Sequence, residues 1–220
     1  MGLPDEATVD GFDTQMQTNH LSHFLLTCGI YPLLEKAANE RGEARVVNHS
    51  SNARLKPAAE ITASYLQKDG GNLGGNFWSM AKWKRYQQSK LANLLFTYAL
   101  HERNPNKKIK ILCAHPGATL TGLQIKSAST GATSCLDSYI LNSRMKVAYS
   151  EEDGTQGILI CCGKPDVNSG DFYGPIVNPS RGEAFLLPSE RNSKPETLLW
   201  EESMKSTGAK WTFWNYTDFK

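Results

Sequence analysis

A chain of 220 residues with 40% hydrophobic and 21% charged residues is long enough to bury a core, and its composition is that of an ordinary globular protein. A formal net charge of +2 is too near neutral to indicate a nucleic-acid partner or an anionic membrane surface. No run of about 18 apolar residues occurs, so no transmembrane segment is expected, and residues 1–6 have neither the basic nor the apolar region of a signal peptide. The five cysteines (Cys28, Cys113, Cys135, Cys161 and Cys162) are odd in number, include an adjacent pair and show no CxxC spacing. They read as reduced thiols of an intracellular, cytoplasmic protein, with Cys161 and Cys162 as core residues.

Residues 10–41 carry Phe12, Met16, His20, Phe24 and Leu25 at helical spacing, with Asp10 as the expected cap, a kink or short break at Pro32 and a stop at Gly42. Residues 44–49 (ARVVNH) form a short β-branched run that predicts a buried strand ending at Ser50-Ser51. Residues 54–78 are punctuated by Lys56-Pro57 and a glycine-rich stretch and read as irregular. A second long helix is expected over residues 80–103, with Tyr86, Leu91, Leu94, Leu95, Tyr98 and Ala99 on its apolar face and Asn104-Pro105 as its end. Residues 109–114 predict a strand leading into His115-Pro116-Gly117, followed by a polar stretch over 119–134. Residues 151–162 predict a helix with acids in its first turn, residues 170–174 a final strand, and the tail from Pro195 one more helix. Trp78, Trp83, Trp211 and Trp214 read as packing residues. Helices alternating with short apolar strands define an α/β fold with a parallel sheet covered on both faces, in a single domain spanning residues 1–220.

The chemistry concentrates in Tyr86-Gln87-Gln88-Ser89-Lys90. A tyrosine and a lysine four residues apart share one helix face, and a nearby ammonium favours the phenolate, which brings a phenol towards useful acid–base work. Taken by itself the spacing is a common chance match and fits a core tyrosine beside a surface lysine better. Its surroundings narrow the choice. Ser50-Ser51 ends one predicted strand and His115-Pro116-Gly117 the next, and the carboxyl ends of parallel strands are where open α/β sheets bind ligands. A zinc site built from His20, His23, His49 and His115 matches no common ligand spacing, and a Ser51/His115 hydrolase lacks a G-x-S-x-G elbow.

The segments NHLSHF, RVVNHSS, YQQSKLAN and HPGATLT, in that order, resemble the short-chain dehydrogenase/reductase family, and most of all its branch of retinol dehydrogenases, WW-domain oxidoreductase and protochlorophyllide reductases. The terminal LLWEESMKSTGAKW is similar to the last helix of that branch, so the resemblance covers residues 8–211. It implies a Rossmann-type doubly wound sheet and an NAD- or NADP-dependent oxidoreductase, NADP being the slightly favoured cofactor, that interconverts an alcohol and a carbonyl on a small hydrophobic substrate. By the same resemblance Tyr86 is the catalytic acid–base, and Lys90 lowers its pKa and bonds the nicotinamide ribose. Ser51, rather than Ser50, holds the substrate oxygen, and Asn19 supports a proton-relaying water. Pro116 and Gly117 border the nicotinamide, with Thr121 at its carboxamide.

The family's TGxxxGxG turn and NNAG motif do not occur in these residues, and Gly70-Gly71-Asn72-Leu73-Gly74-Gly75 has the wrong spacing to replace the turn. The resemblance therefore implies the carboxyl-terminal two-thirds of the fold, without its first four strands and with the strand at 44–49 left as an edge. It also implies a homodimer formed through residues 10–41 and 80–103, and leaves a second reading open, a non-catalytic truncated relative that pairs with an intact subunit through the same two helices.

Overall fold

The computed structural model describes residues 1–55, 60–74, 80–119, 139, 142–143, 146, 148–176 and 182–213. In chain order its elements are α1 (Thr14–Met16), a π turn (Gln17–Leu21), α2 (Ser22–Arg41), β1 (Ala44–His49), two 3-10 turns (Asn52–Leu55 and Ala63–Leu66), α3 (Ala81–Arg103), β2 (Ile109–Ala114), α4 (Glu151–Gly154), α5 (Gln156–Gly163), β3 (Phe172–Gly174), β4 (Phe185–Leu186) and α6 (Ser193–Thr207). The strands lie in the order β1-β2-β3-β4. β1 and β2 run parallel in full register from Ala44 opposite Ile109 to His49 opposite Ala114. β3 adds in parallel, and β4 pairs with it antiparallel. Residues 170–174 thus supply the last parallel strand but not the final strand expected of them.

The expected helices form, with instructive shifts at their ends. Asp13, not Asp10, caps the first helix, its carboxylate accepting from the Met16 N–H at 2.9 Å. Helix α2 runs through Pro32 without the expected break. The irregularity falls instead at the π turn, where the Ser22 N–H reaches back to the Gln17 carbonyl. Gly42 ends α2 at φ 91°, a left-handed conformation that favours glycine. The tail helix starts at Ser193, two residues before Pro195, with Asn192 as its cap.

Both faces of the sheet are covered. Successive strand residues point to opposite faces. Val46 packs against a core of Phe24, Tyr31, Phe96, Trp200 and Trp211. Val47 packs against Leu112, Cys161 and Tyr173. The Phe24 ring lies 5.1 Å from Phe96, 5.2 Å from Trp200 and 5.4 Å from Trp211, so α2, α3 and α6 share one aromatic centre. Cys161 is buried as expected, whereas Cys162 faces outward, and Leu25 lies 47% exposed rather than on the packed face of its helix. Trp83 and Trp211 are buried; Trp78 and Trp214 lie outside the described residues. Among the described residues, no helix is long and apolar enough to cross a membrane.

Residues 1–13 are fastened to the start of α3 by a buried charge cluster. Arg85 is fully buried, its Nε 3.1 Å from the Asp13 carboxylate, and it donates to the Leu3 carbonyl at 2.9 Å and to the Gly74 carbonyl. Removing one partner of a buried ion pair leaves the other charge uncompensated, at a cost of about 3–5 kcal/mol. Arg85→Met is therefore expected to lower the urea midpoint of unfolding by the equivalent of that energy, and an unchanged midpoint would show that the cluster contributes nothing.

Candidate active site

The helix that carries Tyr86 and Lys90 is held to the carboxyl end of β1 by a polar seam. The Asn48 amide donates to Thr97 Oγ1 at 3.0 Å, and the Asn93 amide donates to the His49 carbonyl at 2.9 Å. The Lys90 ammonium donates to the same carbonyl at 3.2 Å. From the strand side, the buried Ser50 hydroxyl donates to the Lys90 carbonyl at 2.8 Å. Buried polar groups are costly unless bonded, so this seam has one satisfied arrangement and fixes the rotation of α3 over the strand. Burial holds the Lys90 ammonium below its ordinary pKa.

The two serines are separated by their surroundings. Ser50 is fully buried and committed to the helix backbone. Ser51 is half-buried at the start of the turn Asn52–Leu55, where its hydroxyl accepts from the Ala53 N–H at 3.1 Å. Tyr86 is buried one turn before Lys90.

Asn19 sits in the π turn, an irregularity often found at functional sites. Its amide donates to Ser89 Oγ at 2.9 Å, and Ser89 in turn donates to the Tyr86 carbonyl at 2.7 Å. The structure thus joins Asn19 to the residue before Lys90.

The end of β2 lies beside that of β1, the Ser50 N–H donating to the Ala114 carbonyl at 2.8 Å. Pro116 and Gly117 follow at once. The Pro116 carbonyl accepts from the Tyr149 hydroxyl, and Gly117 turns at φ 72°, giving this rim one position without a side chain. Thr121 lies outside the described residues.

Two positioning residues were missed from the sequence, Ser89 and Asn93. Both are buried polar residues; Asn93 stands out in sequence among Leu91, Ala92, Leu94 and Leu95, whereas Ser89 sits among other polar residues and carries no such signal. His20, beside Asn19, is buried with a ring nitrogen 2.8 Å from Ser203 Oγ, tying the π turn to α6. The histidines otherwise form no cluster with acids or thiols able to hold a metal ion among the described residues.

A three-strand parallel sheet with helix α3 clamped across its carboxyl edge is a Rossmann-type α/β arrangement. Comparison with known proteins agrees. The chain is 33% identical over 213 residues to retinol dehydrogenase 12 of Mus musculus, covering 96% of this chain and 59% of that protein. It is 34% identical over 221 residues to the short-chain dehydrogenase/reductase prx1 of Penicillium roqueforti, covering 93% of this chain and 59% of that protein. A crystal structure of an uncharacterized protein from Mycobacterium paratuberculosis superposes with a TM-score of 0.61 at 29% identity, covering 96% of this chain and 65% of that one. No family model matches. The chain belongs to the short-chain dehydrogenase/reductase family, and it spans about 59% of the length of these curated relatives.

Burial holds the His20 imidazole at a pKa of about 3, against 6.5 for an ordinary histidine. Such a group stays neutral in the fold while the unfolded chain takes up a proton below about 6.5, so its contribution is present above that pH and is lost as the pH falls towards 3. His20→Gln is expected to flatten the fall in unfolding free energy between pH 6.5 and 3. Equal slopes for the two proteins, measured by urea unfolding across that range, would contradict a neutral buried His20.

Proposed function

We propose that the polypeptide carrying this chain is an NAD- or NADP-dependent oxidoreductase that interconverts an alcohol and a carbonyl on a small hydrophobic substrate, with Tyr86, Lys90, Ser51 and Asn19 as its catalytic residues. The observation that carries the reading is the double tie between Lys90 and β1, its carbonyl to Ser50 at 2.8 Å and its ammonium to His49 at 3.2 Å, which sets the Tyr86–Lys90 turn against the strand end where Ser51 stands.

The residues present suit the nicotinamide half of a dinucleotide. The Lys90 ammonium bonds one backbone carbonyl and keeps further N–H groups for ribose hydroxyls, and Pro116-Gly117 offers a rim with a bare backbone position for a flat ring. When bound, the dinucleotide supplies or takes up the hydride at the substrate carbon. The chain's own residues handle the oxygen. Ser51 holds it by hydrogen bonding, and Tyr86 gives it a proton in reduction or removes one in oxidation. The Lys90 charge favours the phenolate form of Tyr86, and Asn19, through Ser89, holds the backbone of that turn. Four described cysteines are free thiols, which supports a reducing, intracellular compartment.

The second reading, a non-catalytic chain that pairs with another subunit, finds support in α2 only. Leu25, Leu26, Ile30 and Leu33 form an apolar stripe there that is 39–66% exposed. Helix α3 offers no such stripe, because it is buried from Arg85 to Leu100 apart from half-buried Lys90, with α6 packed along it.

In the polypeptide that contains this chain together with a dinucleotide-binding turn, Tyr86→Phe is expected to cut turnover of aliphatic and retinoid aldehydes by at least about 100-fold, the usual worth of a general acid. Dinucleotide binding, followed by fluorescence, should change little. Full turnover by Tyr86→Phe would refute the assignment.

A further inference from the structure

β1 ends at His49, and Ser51 stands beyond it, outside the ladder with β2. The turn that carries Ser51 is gripped by an arginine shut away from solvent. Arg54 is 1% exposed. One edge of its guanidinium forks onto the Glu190 carboxylate, Nε lying 3.1 Å from Oε2 and Nη2 bonding Oε1. The remaining nitrogen, Nη1, donates to the Ser51 carbonyl and to the Asn52 side-chain oxygen, each at 3.2 Å. The guanidinium lies over the Phe172 ring of β3, 4.6 Å from its centroid.

The far end of the fork leads to the helix of the proposed reacting tyrosine. The Glu190 N–H donates to the Tyr98 hydroxyl at 3.2 Å, and Tyr98 is buried on α3, about three turns after Tyr86. Contacts from the Ser51 carbonyl through Arg54 and Glu190 to Tyr98 thus tie the serine turn to α3 by a route that does not pass through His49. Phe172 extends the same cluster to the opposite rim. Its ring lies 5.3 Å from that of His115, whose Nδ1 accepts from the Gly117 N–H at 3.2 Å. A charge taken out of water is costly, and an apolar side chain would fill the same place at lower cost. What arginine alone supplies is a rigid planar fork that meets a carboxylate with one edge and a backbone carbonyl with the other nitrogen.

Resting on the oxidoreductase reading above, we propose that Arg54 is a positioning residue for Ser51, fixing its turn through Glu190 so that the serine hydroxyl and the Tyr86 phenol meet one substrate oxygen. Ser51 Oγ already accepts from the Ala53 N–H at 3.1 Å, which leaves its O–H to donate. Arg54 acts on the serine and not on the dinucleotide. A reacting group misplaced by about 1 Å costs on the order of 100-fold in rate, so loss of the fork shows in kcat rather than in dinucleotide binding.

The test uses Arg54→Lys in the polypeptide that carries this chain together with a dinucleotide-binding turn, assayed with the same aldehydes as Tyr86→Phe. Lysine keeps the charge beside Glu190 but lacks the planar fork that reaches both partners. The substitution is expected to lower kcat about 10- to 100-fold and to leave the KM for the dinucleotide within about twofold. In a Ser51→Ala background it should cost less than about twofold, since no hydroxyl is left to misplace. Equal losses with and without Ser51, or an Arg54→Lys enzyme as fast as wild type, would overturn the proposal. Should Arg54→Lys fail to fold, Glu190→Gln, at the more exposed end of the pair, runs the same cycle under the same criteria. A second readout needs no turnover. Hydrogen exchange at the Ala53 N–H should quicken at least about tenfold in Arg54→Lys, while that at Ile111 in β2 stays as in wild type. Unchanged exchange at Ala53 would overturn the role of Arg54. Because exchange is read without turnover, that failure is separate from retained activity in Tyr86→Phe, which would overturn the oxidoreductase reading.

Discussion

The arrangement of the site depends on one backbone carbonyl, that of His49. It is the last residue of β1, and its carbonyl receives both the Asn93 amide and the Lys90 ammonium from α3. Apolar packing alone would hold α3 against the sheet, but it is non-directional and tolerates small rotations of a helix. Hydrogen bonds do not. With Ser50 bonding the Lys90 carbonyl and Asn48 bonding Thr97, four contacts over two turns select one rotation, and that rotation decides where Tyr86 stands relative to Ser51. The strand side is equally constrained, because β1 is paired over six residues with β2.

The rest of the fold supports this seam from outside. Helix α6 lies along α3 on its far side, and the aromatic centre of Phe24, Phe96, Trp200 and Trp211 joins α2, α3 and α6. The Arg85 cluster anchors the first turn of α3, one residue ahead of Tyr86. The π turn at Gln17–Leu21 is anchored at both ends of its reach, by Asn19 to Ser89 and by His20 to Ser203. One chain of contacts therefore runs from α6 through the π turn to the helix bearing Tyr86. Among the described residues the opposite side of α2 exposes Leu25, Leu26, Ile30 and Leu33, and β1 stands at the edge of the sheet.

Most of the fold was legible in the sequence because its elements are short and their punctuation strong. Strands at residues 44–49 and 109–114 fall where β-branched runs end in serine or proline-glycine, and the parallel pairing follows from the helix between them. What failed to show was governed by tertiary context. Asp10 and Asp13 are equally good caps in sequence; only Asp13 also meets buried Arg85. Pro32 marks a break by local rules, yet α2 continues past it. The site residues were legible as types, through the Tyr-Lys spacing and the serine pair. Asn93 and Ser89 were not, since their contacts rest on burial and on partners far away in the chain.

The central claim, that the His49 seam aligns Tyr86 for proton transfer, is tested most directly by a double-mutant cycle on turnover between Asn93→Leu and Tyr86→Phe. If the seam acts by positioning Tyr86, Asn93→Leu slows the enzyme when Tyr86 is present and costs little more once Tyr86 is gone, so the two losses are strongly non-additive. Additive losses, or an Asn93→Leu enzyme as fast as wild type, would show that the seam only holds the fold together.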